Sequence, residues 1–126
     1  MKAFAILGMI WAGAAGAQEI VLPSGLTVTL HDVIMDAAPD VARFRFLAPA
    51  IDPAGAGLTY QAVAGDFQVL CDTYALPALV QAGQTVAEIV ITLMDRPVLF
   101  GDITPEATQY FEPFGVSTGA CIWEQF

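Results

Sequence analysis

The spacing of the hydrophobic residues changes along the chain, and this change restricts the fold to one that combines strands with a helix. Apolar and polar residues alternate over 26–31 and again over 41–47, which is the pattern of half-buried strands. In the second stretch the alternation places two arginines on one face and two phenylalanines on the other. We expect these two strands to pair as an antiparallel hairpin.

From Tyr60 onward the apolar residues recur every three or four positions, which predicts a long helix. The apolar face of this helix consists of Tyr60, Val63, Phe67, Leu70 and Tyr74. Pro77 and Gly83 are expected to close the region, and Asp66 offers an alternative N-cap for a shorter helix.

The last third of the chain predicts a strand, a short helix and a closing hairpin. A run rich in β-branched residues over 85–94 indicates a buried strand. The sequence Thr-Pro-Glu at 104–106 is typical of a helix start, and Pro113 should end that helix near Phe111. Residues 114–126 are expected to form a closing hairpin. The prediction is an α+β fold, with a mainly antiparallel sheet and one long and one short helix packed on it.

The N-terminus has the pattern of a cleavable signal peptide. One lysine precedes an apolar run over 3–11, and Ala15-Gly16-Ala17 forms a cleavage site before Gln18. A membrane anchor is the alternative, but a spanning helix needs about 20 apolar residues and this run is shorter. We therefore expect removal of residues 1–17, leaving 18–126 as a single globular domain in the periplasm.

The charge of the chain narrows the classes of partner. It has 13 Asp and Glu against 4 Lys and Arg, a formal net charge of −9, and its single lysine lies in the expected signal peptide. Such a charge repels phosphate backbones and anionic lipid headgroups. We expect neither nucleic acid nor, after cleavage, a membrane as a partner.

Two cysteines, Cys71 and Cys121, favour a disulfide in a chain expected to enter an oxidising compartment. A metal site needs more ligands than two cysteines and the single His31 supply comfortably, and the C-x-x-C spacing of a redox pair is absent. We predict a bond that ties the long helix to the final strand, with Cα atoms about 4.4–6.8 Å apart. No metal or other cofactor is expected.

The sequence offers little catalytic chemistry. Ser24 and Ser117 are the two serines, and each lies in a predicted tight turn. His31 is the single imidazole, and on a strand its neighbour Asp32 points to the opposite face, so the two do not form a ready-made dyad. The thirteen acidic residues are compatible with acid–base catalysis, but the sequence does not show which of them would lie together in a site. A binding protein is therefore expected rather than an enzyme, and no catalytic residue is assigned.

Four residues are candidates for ligand or partner binding: Arg43, Arg45, Arg96 and Trp123. Two interpretations of the arginines stay open. The strand arginines pair with acids such as Asp32 while Arg96 caps carbonyls, or the arginines bind a carboxylate or phosphate ligand. Trp123 belongs to an aromatic-rich C-terminal third that forms either core or an exposed patch for a partner.

Several short motifs in the C-terminal half carry a family resemblance. They are Asp66-Phe67, Leu70-Cys71, Ala75-Leu76-Pro77, Ile89-Val90-Ile91, Asp95-Arg96-Pro97, Phe100-Gly101, Gln109-Tyr110-Phe111-Glu112 and the ending Cys121-Ile122-Trp123-Glu124-Gln125-Phe126. Together they resemble a family of small exported alphaproteobacterial proteins of unknown function, which implies export and a shared fold but no activity. Some members carry an acetolactate synthase label. This chain does not suit that label, because it is far too short for a thiamine-diphosphate enzyme and lacks the glycine-aspartate-glycine motif.

From these observations we expect a non-enzymatic periplasmic protein that binds a partner protein or helps to assemble one. The alternative is a small hydrolase or small-ligand binder that uses carboxylates and Arg96. A concave, partly polar pocket containing Arg96 and two or more acids would favour the alternative. A flat or convex exposed apolar patch would favour partner binding.

Overall fold

The computed structural model describes residues 18–37 and 40–124. The predicted signal peptide, residues 1–17, lies outside the described residues. Within the described ranges, the helices are too short or too polar to cross a lipid bilayer.

Six strands form one sheet in the order β1-β2-β3-β4-β5-β6. The pair β3–β4 is parallel, and the other neighbouring pairs are antiparallel. The strands are β1 (Glu19–Val21), β2 (Thr27–Asp36), β3 (Val41–Leu47), β4 (Glu88–Met94), β5 (Gln109–Ser117) and β6 (Ala120–Trp123). The predicted α+β class and the β2–β3 hairpin are confirmed, but the sheet is mixed rather than antiparallel throughout.

The parallel pair arises because the connection between β3 and β4 contains the long helix. This helix comprises α1 (Tyr60–Leu70), a π-helical segment (Cys71–Ala75) and α2 (Leu76–Gln81). A crossover through a helix returns the chain in the same direction, so the two strands pair in parallel. The long helix then covers one face of the sheet.

The ends of the long helix follow local capping chemistry. The Thr59 hydroxyl accepts a hydrogen bond from the Ala62 N–H at the start. At the other end Gly83 adopts a positive φ of 70°, which closes the helix. Pro77 was expected to close it too, and that expectation is wrong. It lies near the start of α2, where a proline without an N–H is tolerated, directly after the chain has widened into the π-helical segment.

Asp66 is not a helix cap but a buried side chain in the middle of α1, 2% exposed. Its carboxylate accepts a hydrogen bond from the Ser24 hydroxyl in the turn between β1 and β2. The same hydroxyl accepts from the Leu26 N–H. Ser24 therefore attaches the β1–β2 turn to the helix.

The hydrophobic core lies between the long helix and the covered face of the sheet. The helix contributes Val63, Phe67 and Leu70, all buried. The strands contribute alternate side chains, namely Phe44, Phe46, Ile89, Ile91, Leu93 and Phe114. The period-two pattern of β3 and the apolar face of the helix thus meet as the sequence predicts.

Cys71 and Cys121 lie at disulfide distance on this covered side. Their sulfur atoms are 2.14 Å apart and their Cα atoms 6.2 Å apart, which is within the expected range. The pair joins the π-helical segment to β6, and Gln68 Nε2 donates to the Cys121 carbonyl oxygen at 2.9 Å beside it.

The predicted short helix after Thr104 is wrong, because Gln109–Ser117 forms β5 and pairs with β4. The helix-start residues make a single turn, in which the Ala107 N–H donates to the Thr104 carbonyl. Pro113 is tolerated inside β5 for a local reason. Its carbonyl accepts from the Glu124 N–H, so its missing N–H faces the β6 side at a point where β6 has already ended. The predicted hairpin of β5 and β6 is present, with Ser117 opposite Ala120.

Candidate functional site

The face of the sheet opposite the long helix, here called the open face, carries a cavity of about 420 Å³. Its floor consists of side chains that alternate with the core residues of β3, β4 and β5. Residues 98–102, in the connection from β4 to β5, form one wall. The lining residues are Arg43, Arg45, Glu88, Val90, Thr92, Val98, Leu99, Phe100, Gly101, Asp102, Gln109, Phe111 and Pro113.

Arg45 fixes the wall of the cavity to its floor. The side chain is 4% exposed, and its Nη1 donates to Asp32 Oδ2 at 3.1 Å. Its Nη2 donates to the Val98 carbonyl oxygen. The buried guanidinium therefore joins β2, β3 and the loop after β4 at one point.

Phe100 lies over both strand arginines. Its ring centroid is 5.5 Å from the Arg43 guanidinium carbon and 5.6 Å from that of Arg45, within cation–π range. Arg43 also pairs with Asp36, Nε to Oδ2, at 3.0 Å. Both arginines thus make the cross-strand ion pairs of the first interpretation, and their positive charge is compensated within the fold.

Glu88 and Glu124 place two carboxyl groups together beside this cavity. Gly115 lies opposite Glu88 in the sheet, and a Cβ atom there would be 2.7 Å from Glu124 Oε2, so the glycine leaves room for that side chain. Burial raises the pKa of Glu88, and the hydrogen bond and charge of Glu124 raise it further, while Arg43 acts in the opposite direction. The pair therefore favours a shared proton or an incoming cation.

Arg96 lies outside the lining of this cavity. Its Nε and Nη2 donate to the two carboxylate oxygens of Asp95 at 3.0 and 3.1 Å, and Nη2 lies 3.7 Å from Asp52. Among the described residues Arg96 thus pairs with carboxylates, instead of capping carbonyls as the first interpretation supposed. The bond from Arg96 lowers the pKa of Asp95, burial opposes this, and the Thr108 contacts lower it again.

The fourth candidate, Trp123, and the histidine His31 lie apart from the open-face cavity. Trp123 is on the covered side of the sheet, where its Nε1 donates to Glu112 at 2.7 Å. His31 is the extra residue at a bulge in β2 and is exposed. Across the described ranges, the His, Cys, Asp and Glu side chains form no group of three that could hold a metal ion.

The amino-acid sequence matches the model of a protein family. The family of unknown function DUF6497 matches residues 7–126. The chain belongs to this family. Comparisons with curated proteins and with solved structures gave no match. The resemblance to a family of unknown function is confirmed in this form, whereas taxonomic range and export stay predictions.

Sequence reasoning missed Glu88 on the open face of this DUF6497 member, and it did not place Phe100 there. Glu88 alternates with Ile89 in the same way as Val90 and Thr92, so the strand period gives a signal for it. Phe100 belongs to the aromatic-rich C-terminal third, but no local pattern predicts its position over the arginines, because it lies in a loop whose path depends on the bond between Arg45 and the Val98 carbonyl.

Proposed function

We propose that this protein is an exported, non-enzymatic domain that binds a partner protein on the open face of its sheet. One observation carries the proposal: around the cavity, large apolar side chains are exposed on a face that the long helix does not cover. Leu99 is 75% exposed, Phe100 53% and Phe111 55%. Exposed apolar groups clustered at one concavity are typical of interaction surfaces.

The charges of the open face indicate the chemistry of the partner. The cavity lining includes Glu88 and Asp102, which form no salt bridge within the described ranges, whereas Arg43 and Arg45 are compensated. The whole chain is strongly acidic, at −9. The complementary partner is a protein segment with apolar side chains next to a basic one, since opposite potentials favour encounter and register.

Export is the second part of the proposal. It is supported by the signal-peptide pattern over 1–17 and by the cysteine pair at disulfide distance, which suits an oxidising compartment. The intact mass of protein purified from the periplasm should correspond to a chain that starts at Gln18. Soluble periplasmic protein that retains Met1 would contradict export.

The binding proposal is tested by affinity capture from periplasmic extract with matched variants. Leu99→Ser and Phe111→Ser each remove an apolar side chain at the cavity. Val80→Ser removes one that is equally exposed, at 68%, on the long helix. We expect the wild type and Val80→Ser to capture the same protein, and the two cavity variants to lose it at unchanged melting temperature.

The salt dependence of capture tests the predicted charge of the partner. Binding through Glu88 and Asp102 should weaken as salt rises, because screening reduces the attraction between opposite charges. Reproducible capture that Leu99→Ser and Phe111→Ser leave intact would place the interface elsewhere and refute the proposal.

A small ligand is the second candidate, and the cavity itself favours it. A volume of about 420 Å³ lies in the range of small-molecule sites, and the lining combines apolar groups with a few polar ones. The polar side chains of the lining are Arg43, Arg45, Glu88, Thr92, Asp102 and Gln109, while Arg96 lies outside it. A purified protein that carries a bound small molecule, lost in Phe111→Ser, would favour this candidate over a protein partner.

A further inference from the structure

A second cavity, of about 310 Å³, lies between the long helix and strands β5 and β6. It is on the covered side of the sheet, since Glu112 and Phe114 line it while their neighbours Phe111 and Pro113 line the open-face cavity. We call it the aromatic cage. The residues that line the aromatic cage include Tyr60, Gly65, Phe67, Glu112, Phe114 and Trp123.

Glu112 holds two aromatic walls of the cage in place. Its Oε2 accepts a hydrogen bond from the Tyr60 hydroxyl, and its Oε1 accepts one from Trp123 Nε1 at 2.7 Å. A carboxylate has about four acceptor positions, so these bonds leave capacity for a ligand. The Tyr60 ring also packs against Phe67, with ring centroids 5.9 Å apart.

The carboxylate of Glu112 has no cationic partner within the described part of the chain. Arg43, Arg45 and Arg96 all pair with aspartates at other places, and none of them lines the cage. The Glu112 hydrogen bond, with burial and the Glu112 charge, raises the pKa of Tyr60. A carboxylate without a cationic partner thus lies between the hydrogen-bonding edges of two aromatic rings that line the cage.

We propose that the aromatic cage binds a small organic ammonium cation, with Glu112 as its counter-ion and the rings of Tyr60 and Trp123 as its walls. Aromatic faces attract alkylated ammonium groups through cation–π interactions, and they also accept the apolar methyl groups. A divalent metal ion does not fit, because Ca²⁺ and Mg²⁺ need about six or more oxygen ligands. Glu112 is the one carboxylate among the cage residues.

Gly65 gives a way to fill the cage without disturbing the fold. A glycine inside a helix costs about 1 kcal/mol relative to alanine, and a Cβ atom at Gly65 would meet no other atom within 4 Å. There is therefore room for a larger side chain at this position of the cage wall. Gly65→Leu should fill part of the cage and stabilise α1 at the same time, which separates loss of binding from loss of fold.

The test titrates the protein with choline and, separately, with the neutral tert-butyl analogue of choline. Heat of binding and the chemical shift of the Trp123 indole N–H are both measured. We expect choline to bind and to shift the indole signal, and the neutral analogue to bind at least about tenfold more weakly. Gly65→Leu should abolish choline binding at a raised melting temperature, while Gly65→Ala, also stabilised, should retain it.

Glu112→Gln removes the counter-charge and should weaken choline binding by at least about tenfold, a loss of ~1.4 kcal/mol. Equal binding of the neutral analogue, or choline binding that Gly65→Leu leaves unchanged, would overturn the proposal. Binding of a trimethyllysine peptide without choline binding would also overturn it, because the cation would then belong to a protein. None of these measurements involves the open face. A negative result here would therefore leave the proposed function untouched, and loss of the partner protein would leave the ammonium site untouched.

Discussion

At the scale of single residues, the two strand arginines differ in burial although both are paired. Arg45 is 4% exposed and its partner Asp32 34%, whereas Arg43 and Asp36 are 30% and 39% exposed. Removing one partner of a buried pair leaves an uncompensated charge away from water, which is costly. An exposed pair is screened and contributes little.

This difference predicts unequal effects of two matched substitutions. Asp32→Asn should lower the free energy of unfolding by about 2–3 kcal/mol, somewhat less than for a fully buried pair because Asp32 is partly exposed. Asp36→Asn, the control, should cost at most about 1 kcal/mol. Urea unfolding at pH 7 measures both, and equal losses would show that burial of Arg45 does not set the cost.

Glu88 gives a prediction for pH. The pKa of Glu88 is raised in the folded protein, so the folded state holds the Glu88 proton more tightly than the unfolded state does. The resulting stabilisation is fully present below the unfolded pKa of about 4.3 and is lost as pH rises through the folded pKa. At pH 7 the folded state therefore carries an unfavourable charge. Glu88→Gln should raise the free energy of unfolding at pH 7 by up to about 1 kcal/mol, and this gain should shrink towards pH 4.

The control for Glu88 is Glu19→Gln, an exposed acid on the edge strand β1. Glu19→Gln should change the free energy of unfolding little, and by the same amount at pH 7 and at pH 4. A Glu88→Gln variant that is destabilised at pH 7 would mean that Arg43, which opposes the raised pKa, dominates the site.

At the scale of elements, β2, β3, β4 and the long helix were predictable, whereas the first part of β5 was wrongly predicted as a short helix. The alternation in β3 and the three-to-four spacing after Tyr60 are each produced by one buried face, so the sequence records them directly. The segment around Pro105 and Pro113 carries local helix signals that tertiary pairing overrides. There β4 supplies backbone partners for Gln109–Ser117, a contact that no local pattern contains.

The cysteine pair that joins the long helix to β6 gives a prediction for stability. The cysteines are separated by 50 residues, and closing a loop of that size stabilises a fold by about 4 kcal/mol. Unreduced, denatured protein should resist thiol alkylation, and reduction should lower the melting temperature. The Cys71→Ala/Cys121→Ala variant should melt near the reduced protein and be insensitive to reductant. Quantitative alkylation without reductant would refute the bond.

At the scale of the whole molecule, the sequence predicted the class of fold but not the sites. Neither cavity follows from one local pattern, because each combines residues from three or more separate segments. The open-face cavity needs the path of residues 98–102, and the aromatic cage needs β5 and β6 beside the long helix. Trp123 was a candidate, yet its partner Glu112, which also accepts from Tyr60, is placed beside it only once β5 is known to be a strand.

The parallel pairing of β3 with β4 has a consequence for how fast the chain folds. The units β1–β3 and β4–β6 are each antiparallel meanders of sequence neighbours, so they can form from local contacts. The seam between them, where Phe44 lies beside Ile91, joins two strands that are separated in sequence by the whole helical segment. Loop-closure entropy must be overcome before that contact contributes, which makes such pairings slow. The rate-limiting step of folding should therefore be the formation of this seam. A substitution that shortens the Ile91 side chain should slow folding, whereas one that destabilises the β5–β6 turn should mainly speed unfolding.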